Sequence, residues 1–281
     1  MTGIKDMDLT RHLHWAEHLR GLRPNTIRTR RAVLNRLRVV IDTPLREAHI
    51  GHLMAWETEV VSGLSPESRR AYVGHVRSFY RWAMSAGIVT DDPSVMLTNP
   101  KIPKPLPRPI GEEDLRLAID AASPKLAAML TLMADAGLRC MEVAHLQWQD
   151  IELGGETWLT IRDGKGGKDR QVPVGATVIQ ALRRFGWKQR GYVFLGHNGR
   201  PIKEASVSVI ANAHLARLGI PFTAHKLRAR YATQASRHAD LTLVAELLGW
   251  SSLKTAQHYV KPDRAKAADI VAAMDNLANP A

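Results

Sequence analysis

Five prolines within twelve residues divide this 281-residue chain into two parts. They lie at positions 100, 103, 105, 107 and 109, in the segment TNPKIPKPLPRP that spans residues 98–109. Proline fixes φ and lacks a backbone N–H, so this segment cannot form a helix and favours an extended connector. Each flanking part is long enough to bury its own core. The sequence therefore predicts an N-terminal domain over 1–97, a linker over 98–109 and a second domain over 110–281.

The composition indicates a globular protein with a polyanionic partner. The formal net charge is +12, and arginine outnumbers lysine by 27 to 12. Such a charge excess is typical of proteins that bind double-stranded DNA, although a generally basic protein would also show it. The one cysteine, Cys140, excludes an intramolecular disulfide and a cysteine-based zinc site, and we expect it to be a buried small residue. The N-terminus lacks a secretory signal and no apolar run is long enough for a membrane span, which predicts a cytosolic protein.

The N-terminal part is predicted to be helical, without strands. One helix begins near Asn25, and another is predicted by Ser65 and Pro66, a capping residue followed by proline at the first helical position. Both helices carry arginines, and residues 1–109, which include the linker, hold 17 Lys and Arg against 10 Asp and Glu. Basic helical faces are often merely solvated, but the charge excess favours DNA contact. The arginines interleaved along the first helix are Arg28, Arg30, Arg31, Arg36 and Arg38. The candidate DNA-binding residues of the helices and linker are Arg28, Arg31, Arg70, Arg77, Arg81, Lys101, Lys104 and Arg108.

The second part mixes helices with a short sheet. Strands are predicted over 158–162 and 171–174, joined by a glycine-rich hairpin tip over 163–169. Helices are predicted over 126–136, where Gly137 ends the pattern, and over 142–148. The remaining predicted helices span 176–185, 205–217, 224–238, 242–248, 253–260 and 263–276. The fold class expected for the whole chain is mainly α with a small β-sheet.

Several polar residues of the second part suit chemistry on a phosphodiester. Arg139 follows the glycine that ends a helix, where it either faces a cleft or simply pairs with Glu142. Lys165 lies at the hairpin tip, which lacks the spacing of a nucleotide-binding loop and therefore favours delivery of a lysine into a site. His225 and Arg228 share a helix face, whereas the same spacing at His197 and Arg200 surrounds an Asn-Gly turn. Two arginines, a lysine and an imidazole supply the fixed charge and proton transfer that phosphoryl transfer needs.

Taken in their order along the chain, these motifs resemble those of a known protein family, although no single motif is specific enough to do so. The chain shows Gly-Leu-Arg-x-x-Glu at 137–142, Gly-Lys-Gly-x-Lys-x-Arg in the hairpin, and His-x-x-Arg at 225–228. Leu-Gly-Trp then ends at Trp250, and Tyr259 follows nine residues later. This succession resembles the tyrosine recombinase family, which includes phage integrases, Xer-type recombinases and Cre. The resemblance covers residues 110–281, and the helical N-terminal part resembles the core-binding domain of the compact two-domain members.

The resemblance implies a function and a set of catalytic residues. It implies a DNA strand transferase in which Tyr259 attacks a DNA phosphate and forms a 3′-phosphotyrosyl link. Glu142 would support the catalytic residues without contacting the phosphate itself. Many members have histidine at the position of Trp250, and an indole there can donate its N–H but cannot act as an acid or base. The implied catalytic set is Arg139, Lys165, His225, Arg228, Trp250 and the nucleophile Tyr259. No metal or other cofactor is expected.

The resemblance also implies partners and leaves the biological role open. A C-terminal helix within 263–281 would dock into a neighbouring protomer, so a homotetramer on two double-stranded DNA sites is expected, with a directionality factor as a further candidate partner. Phage or mobile-element integration and excision is the expected role. The alternatives are Xer-like dimer resolution, relaxation of a single duplex as by a type IB topoisomerase, and a non-catalytic DNA-binding architectural protein.

Overall fold

The computed structural model describes residues 7–101, 108–162, 169–250, 252–257 and 259. The chain forms two compact units, Met1–Lys104 and Pro105–Ala281, and the division falls inside the proline-rich segment. Most described residues are helical and a single small sheet lies in the second unit, so the predicted fold class is confirmed. Within the described residues, no helix is both long and apolar enough to cross a membrane.

Four α-helices build the described part of the first unit. They are α1 (Met7–His18), α2 (Pro24–Ile41), α3 (Ile50–Trp56) and α4 (Pro66–Ser85). The Ser65 side chain accepts a hydrogen bond from the backbone N–H of Ser68, so α4 begins with the predicted cap. Large side chains from these helices form one core, including Trp56, Phe79 and Tyr80, each fully buried. The Tyr80 hydroxyl donates to the Leu45 carbonyl at 3.0 Å and so satisfies the polar end of a buried ring.

In its described residues, the second unit packs eight α-helices and a three-stranded antiparallel sheet around a separate core. The helices are α5 (Glu112–Asp120), α6 (Pro124–Asp135), α7 (Cys140–His145), α8 (Ala176–Gly186), α9 (Glu204–Arg217), α10 (Ala224–His238), α11 (Leu241–Leu247) and α12 (Leu253–Gln257). The strands, in sheet order, are β1 (Ile151–Glu152), β2 (Thr157–Ile161) and β3 (Arg170–Val174). Leu159 pairs with Val172 and both are fully buried, which fixes the face of the hairpin that covers the core.

Several predicted boundaries were wrong. The helix predicted over 142–148 is instead α7, followed by a short 3₁₀ turn at Trp148–Asp150. It begins earlier because the Glu142 carboxylate accepts the Arg139 backbone N–H at 2.7 Å, which caps the helix from within. Strand β1 was missed, and the helix predicted over 253–260 ends at Gln257. The helix predicted over 263–276 lies outside the described residues.

Gly137 makes the turn that brings Arg139 into position after α6. Its φ is +67°, and a Cβ placed there would lie 2.6 Å from Cδ1 of Tyr231 and 2.9 Å from Cδ2 of Leu248. A side chain at this position would therefore suffer both backbone strain and a steric clash with packed residues. The turn requires glycine for both reasons.

Replacing Gly137 with alanine should lower the free energy of unfolding by about 2–5 kcal/mol, the sum of left-handed strain and overpacking. Gly219 is the matched control because its φ is +71° and a Cβ there would meet nothing within 4 Å. Gly219→Ala should cost only the strain, about 1–2 kcal/mol. Urea unfolding followed by tryptophan fluorescence measures both, and equal losses would show that the contacts of Tyr231 and Leu248 do not matter.

Candidate active site

The C-terminal end of α11 holds three arginines by three successive backbone carbonyls. The pairs, donor first, are Arg170 to Leu247 (2.8 Å), Arg228 to Leu248, and Arg139 to Gly249 (3.2 Å). The last carbonyls of a helix have no partner within the helix and carry its negative partial charge, so they suit guanidinium donors. The end of α11 therefore gathers side chains from the start of α7, from β3 and from α10.

Glu142 lies at the centre of these arginines. Its carboxylate accepts from Arg139 Nη1 at 2.7 Å, from both terminal nitrogens of Arg170 at 2.9 Å, and from Arg228 Nη1 at 3.4 Å. The Glu142 side chain is only 3% exposed. Burial alone would raise its pKa, but the hydrogen bonds and charge of Arg170, the Arg139 backbone N–H and the charge of Arg228 lower the pKa to about 2. Glu142 is therefore ionised at neutral pH and fixes all three guanidinium planes.

This cluster keeps a surplus of positive charge and of hydrogen-bond donors. Three guanidinium groups share one carboxylate. Each arginine has five N–H donors, and the contacts of Arg228 to Gly137, Leu248 and Glu142 use only part of them. The Arg139 side chain reaches the surface, with 21% of it exposed, whereas that of Arg228 is 5% exposed. Chemically, the arrangement can hold a multiply charged oxyanion at the surface.

His225 stands one helical turn before Arg228, near the start of α10. The Ala224 backbone N–H donates to Oδ1 of Asn212 at 2.8 Å, which anchors this helix start. Partial burial and the positive charges of Arg228, Lys226 and Arg139 lower the pKa of His225 below its usual value. The His225 imidazole is therefore neutral at neutral pH and can accept a proton.

Tyr259 stacks on Trp250, which follows directly after the carbonyl turn at the end of α11. The ring centroids are 5.1 Å apart and the planes differ by 16°. The Ser236 hydroxyl donates to the Tyr259 carbonyl at 3.2 Å, which ties this residue to α10. Burial raises the pKa of the Tyr259 phenol, and the charge of Arg228 opposes that shift. The phenol is therefore protonated at neutral pH and needs a base before it can act as a nucleophile.

The structure thus brings five of the six predicted catalytic residues and Glu142 together in one cluster. Arg139, His225, Arg228, Trp250 and Tyr259 all lie around the end of α11 and the start of α10. The predicted proton donor, Lys165, lies outside the described residues. Cys140, expected to be buried, is half-buried, and its Sγ lies 3.7 Å from Sδ of Met133. Among the described residues, no group of three or more His, Cys, Asp or Glu is placed to hold a metal ion.

Arg170 is the functional residue that the sequence reasoning missed. Its side chain is 7% exposed and makes a bidentate pair with Glu142. The signal was present, because Arg170 lies two residues before the fully buried Val172 and therefore on the inward face of β3. An arginine on the buried face of a strand requires a carboxylate partner, and Glu142 provides it.

The candidate DNA-binding residues have different surroundings. Six of them are exposed, namely Arg28, Arg31, Arg70, Arg81, Lys101 and Arg108. Arg77 is half-buried and donates to the Leu97 carbonyl at 2.6 Å. Lys104 lies outside the described residues. Arg30, one of the arginines interleaved along α2, is 8% exposed and lies against His12 and His75.

Replacing Glu142 with glutamine should lower the free energy of unfolding by about 3–5 kcal/mol at neutral pH, because three buried or half-buried arginines lose their carboxylate. A carboxyl whose folded pKa is lowered stabilises the fold above its unfolded pKa and loses that contribution as pH falls towards the folded value. The usual value is 4.5 and the folded one about 2, so the part of the wild-type advantage that this shift contributes, about 3 kcal/mol, should be lost progressively as the pH falls from 4.5 towards 2.

Urea unfolding of both proteins from neutral pH down to pH 3 measures this effect. The difference between wild type and E142Q should shrink as the pH falls below 4.5. Glu246→Gln is the control, because Glu246 is exposed on α11 and its loss should leave the pH dependence unchanged. A difference between wild type and E142Q that is constant over this pH range would contradict the charge network.

Comparison with solved structures shows the class of fold. The crystal structure of a lambda integrase dimer bound to a COC′ core site superposes with a TM-score of 0.74, at 19% identity over 90% of this chain and 94% of that chain. XerH site-specific recombinase bound to difH substrate, in a pre-cleavage complex, gives a TM-score of 0.70 at 19% identity, over 95% and 84% of the two chains. The fold is therefore that of the site-specific recombinases.

Sequence comparison shows the family. Residues 111–266 match the model of the phage integrase family. The tyrosine recombinase XerC of Rhodospirillum centenum is 33% identical, over 91% of this chain and 82% of that protein, and XerD of Listeria monocytogenes is 28% identical, over 92% and 95%. This chain belongs to the phage integrase family of tyrosine recombinases, which are site-specific recombinase enzymes. The resemblance stated from the motifs is confirmed.

Proposed function

We propose that this protein cuts and rejoins DNA strands at specific sites through a 3′-phosphotyrosyl intermediate on Tyr259. One observation carries the proposal: the Glu142-centred arginine cluster keeps a surplus of positive charge beside the stacked Tyr259 and Trp250. Phosphoryl transfer is catalysed mainly by positioning and by fixed charge that stabilises the transition state. The cluster supplies both without moving, because the end of α11 holds it.

The proposed reaction has two balanced steps. The Tyr259 oxygen attacks the phosphorus, the bond from phosphorus to the 5′-oxygen breaks, and the DNA 3′ end is left on the tyrosine. The phenol proton passes to the neutral His225, and Lys165 protonates the departing 5′-oxygen. The 5′-hydroxyl of a partner strand then attacks the phosphotyrosine and reverses the step. The number of phosphodiester bonds is conserved, so no external energy source is required.

The other residues hold the phosphate during this exchange. Arg139 and Arg228 donate their remaining N–H groups to the non-bridging oxygens, where planar guanidinium groups bind most effectively. Trp250 donates its indole N–H to the same phosphate. Glu142 and Arg170 do not touch the DNA in this proposal. They fix the planes of the two phosphate-binding arginines.

We propose further that the working assembly is a homotetramer on two recombination sites. A lambda integrase tetramer bound to a Holliday junction has the same fold, with a TM-score of 0.75 at 17% identity over 91% of this chain and 76% of that chain. The segment proposed to link the protomers, within residues 263–281, lies outside the described residues. Its deletion should abolish assembly on DNA as measured by sedimentation. The site of action is then double-stranded DNA in the cytoplasm of a bacterium or of a phage-infected host cell.

Integration and excision of a phage or mobile element is the proposed role, and Xer-like dimer resolution is the second candidate. The match to the phage integrase family supports the first, and the 33% identity to a XerC protein over 91% of the chain favours the second. Mapping the cleaved sequence separates them. A site at the boundary of a mobile element supports integration, whereas one in a chromosome that carries no such element supports resolution.

The proposed chemistry is tested by trapping the covalent intermediate. The purified protein is incubated with labelled DNA from its own genomic neighbourhood and quenched with detergent in EDTA. After nuclease digestion, mass spectrometry should find a nucleotide on the peptide that contains Tyr259. A nucleotide on one of the other four tyrosines would contradict the proposal. DNA that is bound but never becomes linked would favour the architectural alternative.

A further inference from the structure

Arg30 is a buried guanidinium group of the first unit with no carboxylate partner among the described residues. It is 8% exposed. Its Nε donates to Nδ1 of His75 at 3.4 Å, and its Nη1 lies 3.4 Å from Nε2 of His12. Arginine has five N–H donors, so these two long contacts leave most of them without a protein acceptor. A buried charge in this state is costly unless an anion completes its surroundings.

The neighbouring imidazoles do not balance the charge of Arg30. Burial, Arg30 and His75 lower the pKa of His12 to about 3, and burial and Arg30 lower the pKa of His75. Both rings are therefore neutral at neutral pH and act as hydrogen-bond partners without a charge. Arg30 itself stays charged, because a guanidinium group does not lose its proton in proteins even where burial lowers its pKa.

Arg30 lines a cleft of about 550 Å³ between α1, α2 and α4. The other lining residues that bear on a ligand are Arg20, Arg81, Ser78, Trp15 and Trp82. Among the described residues, no acidic side chain lines this cleft. The guanidinium carbon of Arg20 lies 5.8 Å from the centre of the Trp15 ring, which places a second cation over an aromatic wall. Three arginines, a hydroxyl group and two indoles around one opening are suited to a phosphate group.

We infer that this cleft binds one phosphate group, with Arg30 at its base and Arg20 and Arg81 at its rim. The bound phosphate is then a phosphate group of the DNA backbone, and this assignment rests on the proposed function. Arg81 is exposed, so it can reach a duplex that lies outside the cleft. A free phosphate anion shares the same chemistry and is the other source.

The salt dependence of DNA binding tests the backbone source. Each phosphate contact made by a basic side chain contributes about 0.9 to the slope of log affinity against log salt on duplex DNA. Arg81→Ala and Arg30→Gln in the full chain should each lower that slope by about one for a generic duplex. The matched control is Arg11→Ala, which removes the same charge from an exposed position on α1 outside the cleft and should leave the slope unchanged. Arg81 is exposed, so R81A keeps the test decisive if R30Q does not fold.

Titration with inorganic phosphate tests the free-anion source. Because Trp15 and Trp82 line the cleft, binding should change the tryptophan fluorescence of wild type and R11A but not of R81A. If the fluorescence change requires Arg81 but the salt dependence of DNA binding is the same in all variants, the cleft binds phosphate but the DNA backbone is not its source. The inference would be wrong if R81A and R30Q gave the same salt slope as R11A and if phosphate left the tryptophan fluorescence of wild type unchanged. Neither readout requires DNA cleavage, so a failure of the tyrosine chemistry would not affect them.

Discussion

Replacing Tyr259 with phenylalanine should abolish covalent protein–DNA adducts and strand exchange while leaving DNA binding intact. The substitution removes one oxygen atom, which is the proposed nucleophile. The ring that stacks on Trp250 at 5.1 Å remains, so the packing around the carbonyl turn should persist. None of the other proposed catalytic residues carries a side-chain oxygen, so none of them can take over the attack on the phosphorus. Gel shift measures binding, and denaturing electrophoresis of the same samples measures adducts.

A second tyrosine of the same unit provides the control for this prediction. Tyr192 is exposed and its backbone forms an isolated β-bridge with Gln147. Tyr192→Phe removes the same hydroxyl group from a residue that shares a cavity with Glu142 but is not proposed to touch the DNA phosphate, so adducts should form at the wild-type rate. Adducts that persist in Y259F would show that Tyr259 is not the nucleophile. Adducts that disappear in both variants would show that their loss is not specific to the Tyr259 hydroxyl group.

The sequence predicted those parts of the site that are formed by residues close together in the chain. His225 and Arg228 were placed on one face of a helix because three-residue spacing shares a face, and the structure starts α10 at Ala224. Gly137 was predicted to end α6, and its φ of +67° shows why only glycine suits that turn. In both cases the physical cause lies within a few residues of the position, so the sequence alone is sufficient.

Contacts between distant segments could not be predicted in this way. Arg139 bonds to the carbonyl of Gly249, 110 positions away, and Arg170 to that of Leu247, 77 positions away. Nothing in the sequence near Glu142 shows that its carboxylate serves three arginines. The same limit applies to Arg30, which the sequence shows only as one of several arginines along α2, because only the packing of α1 and α4 against α2 brings histidines to it. The spacing of residues along a helix shows which face of the helix a residue lies on, but the residues that contact this face are determined by tertiary packing.

The second large effect is expected from Arg228→Lys, which should slow DNA cleavage by about 10²–10³-fold, the usual loss when one oxyanion-stabilising donor is removed. Lysine keeps the positive charge but has three donors at a single point instead of a planar fork. Arg228 already donates to the carbonyls of Gly137 and Leu248 and to Glu142. An ammonium group cannot make these contacts and also hold a phosphate oxygen, so either the positioning or the phosphate contact is lost.

Arg230→Lys separates this loss from a general loss of stability. Arg230 lies two residues further along α10 and pairs with Asp135 at 2.7 Å and with Glu112 at 2.5 Å. Its partners Glu112, Asp135 and the Ala134 carbonyl lie outside the cluster around Glu142, so R230K should cost stability without slowing cleavage. Single-turnover adduct formation at saturating protein, beside urea unfolding of each variant, gives the two quantities independently. If R228K cleaved at the wild-type rate, or if R230K were slowed equally, Arg228 would be a structural residue and the phosphate would depend on Arg139 alone.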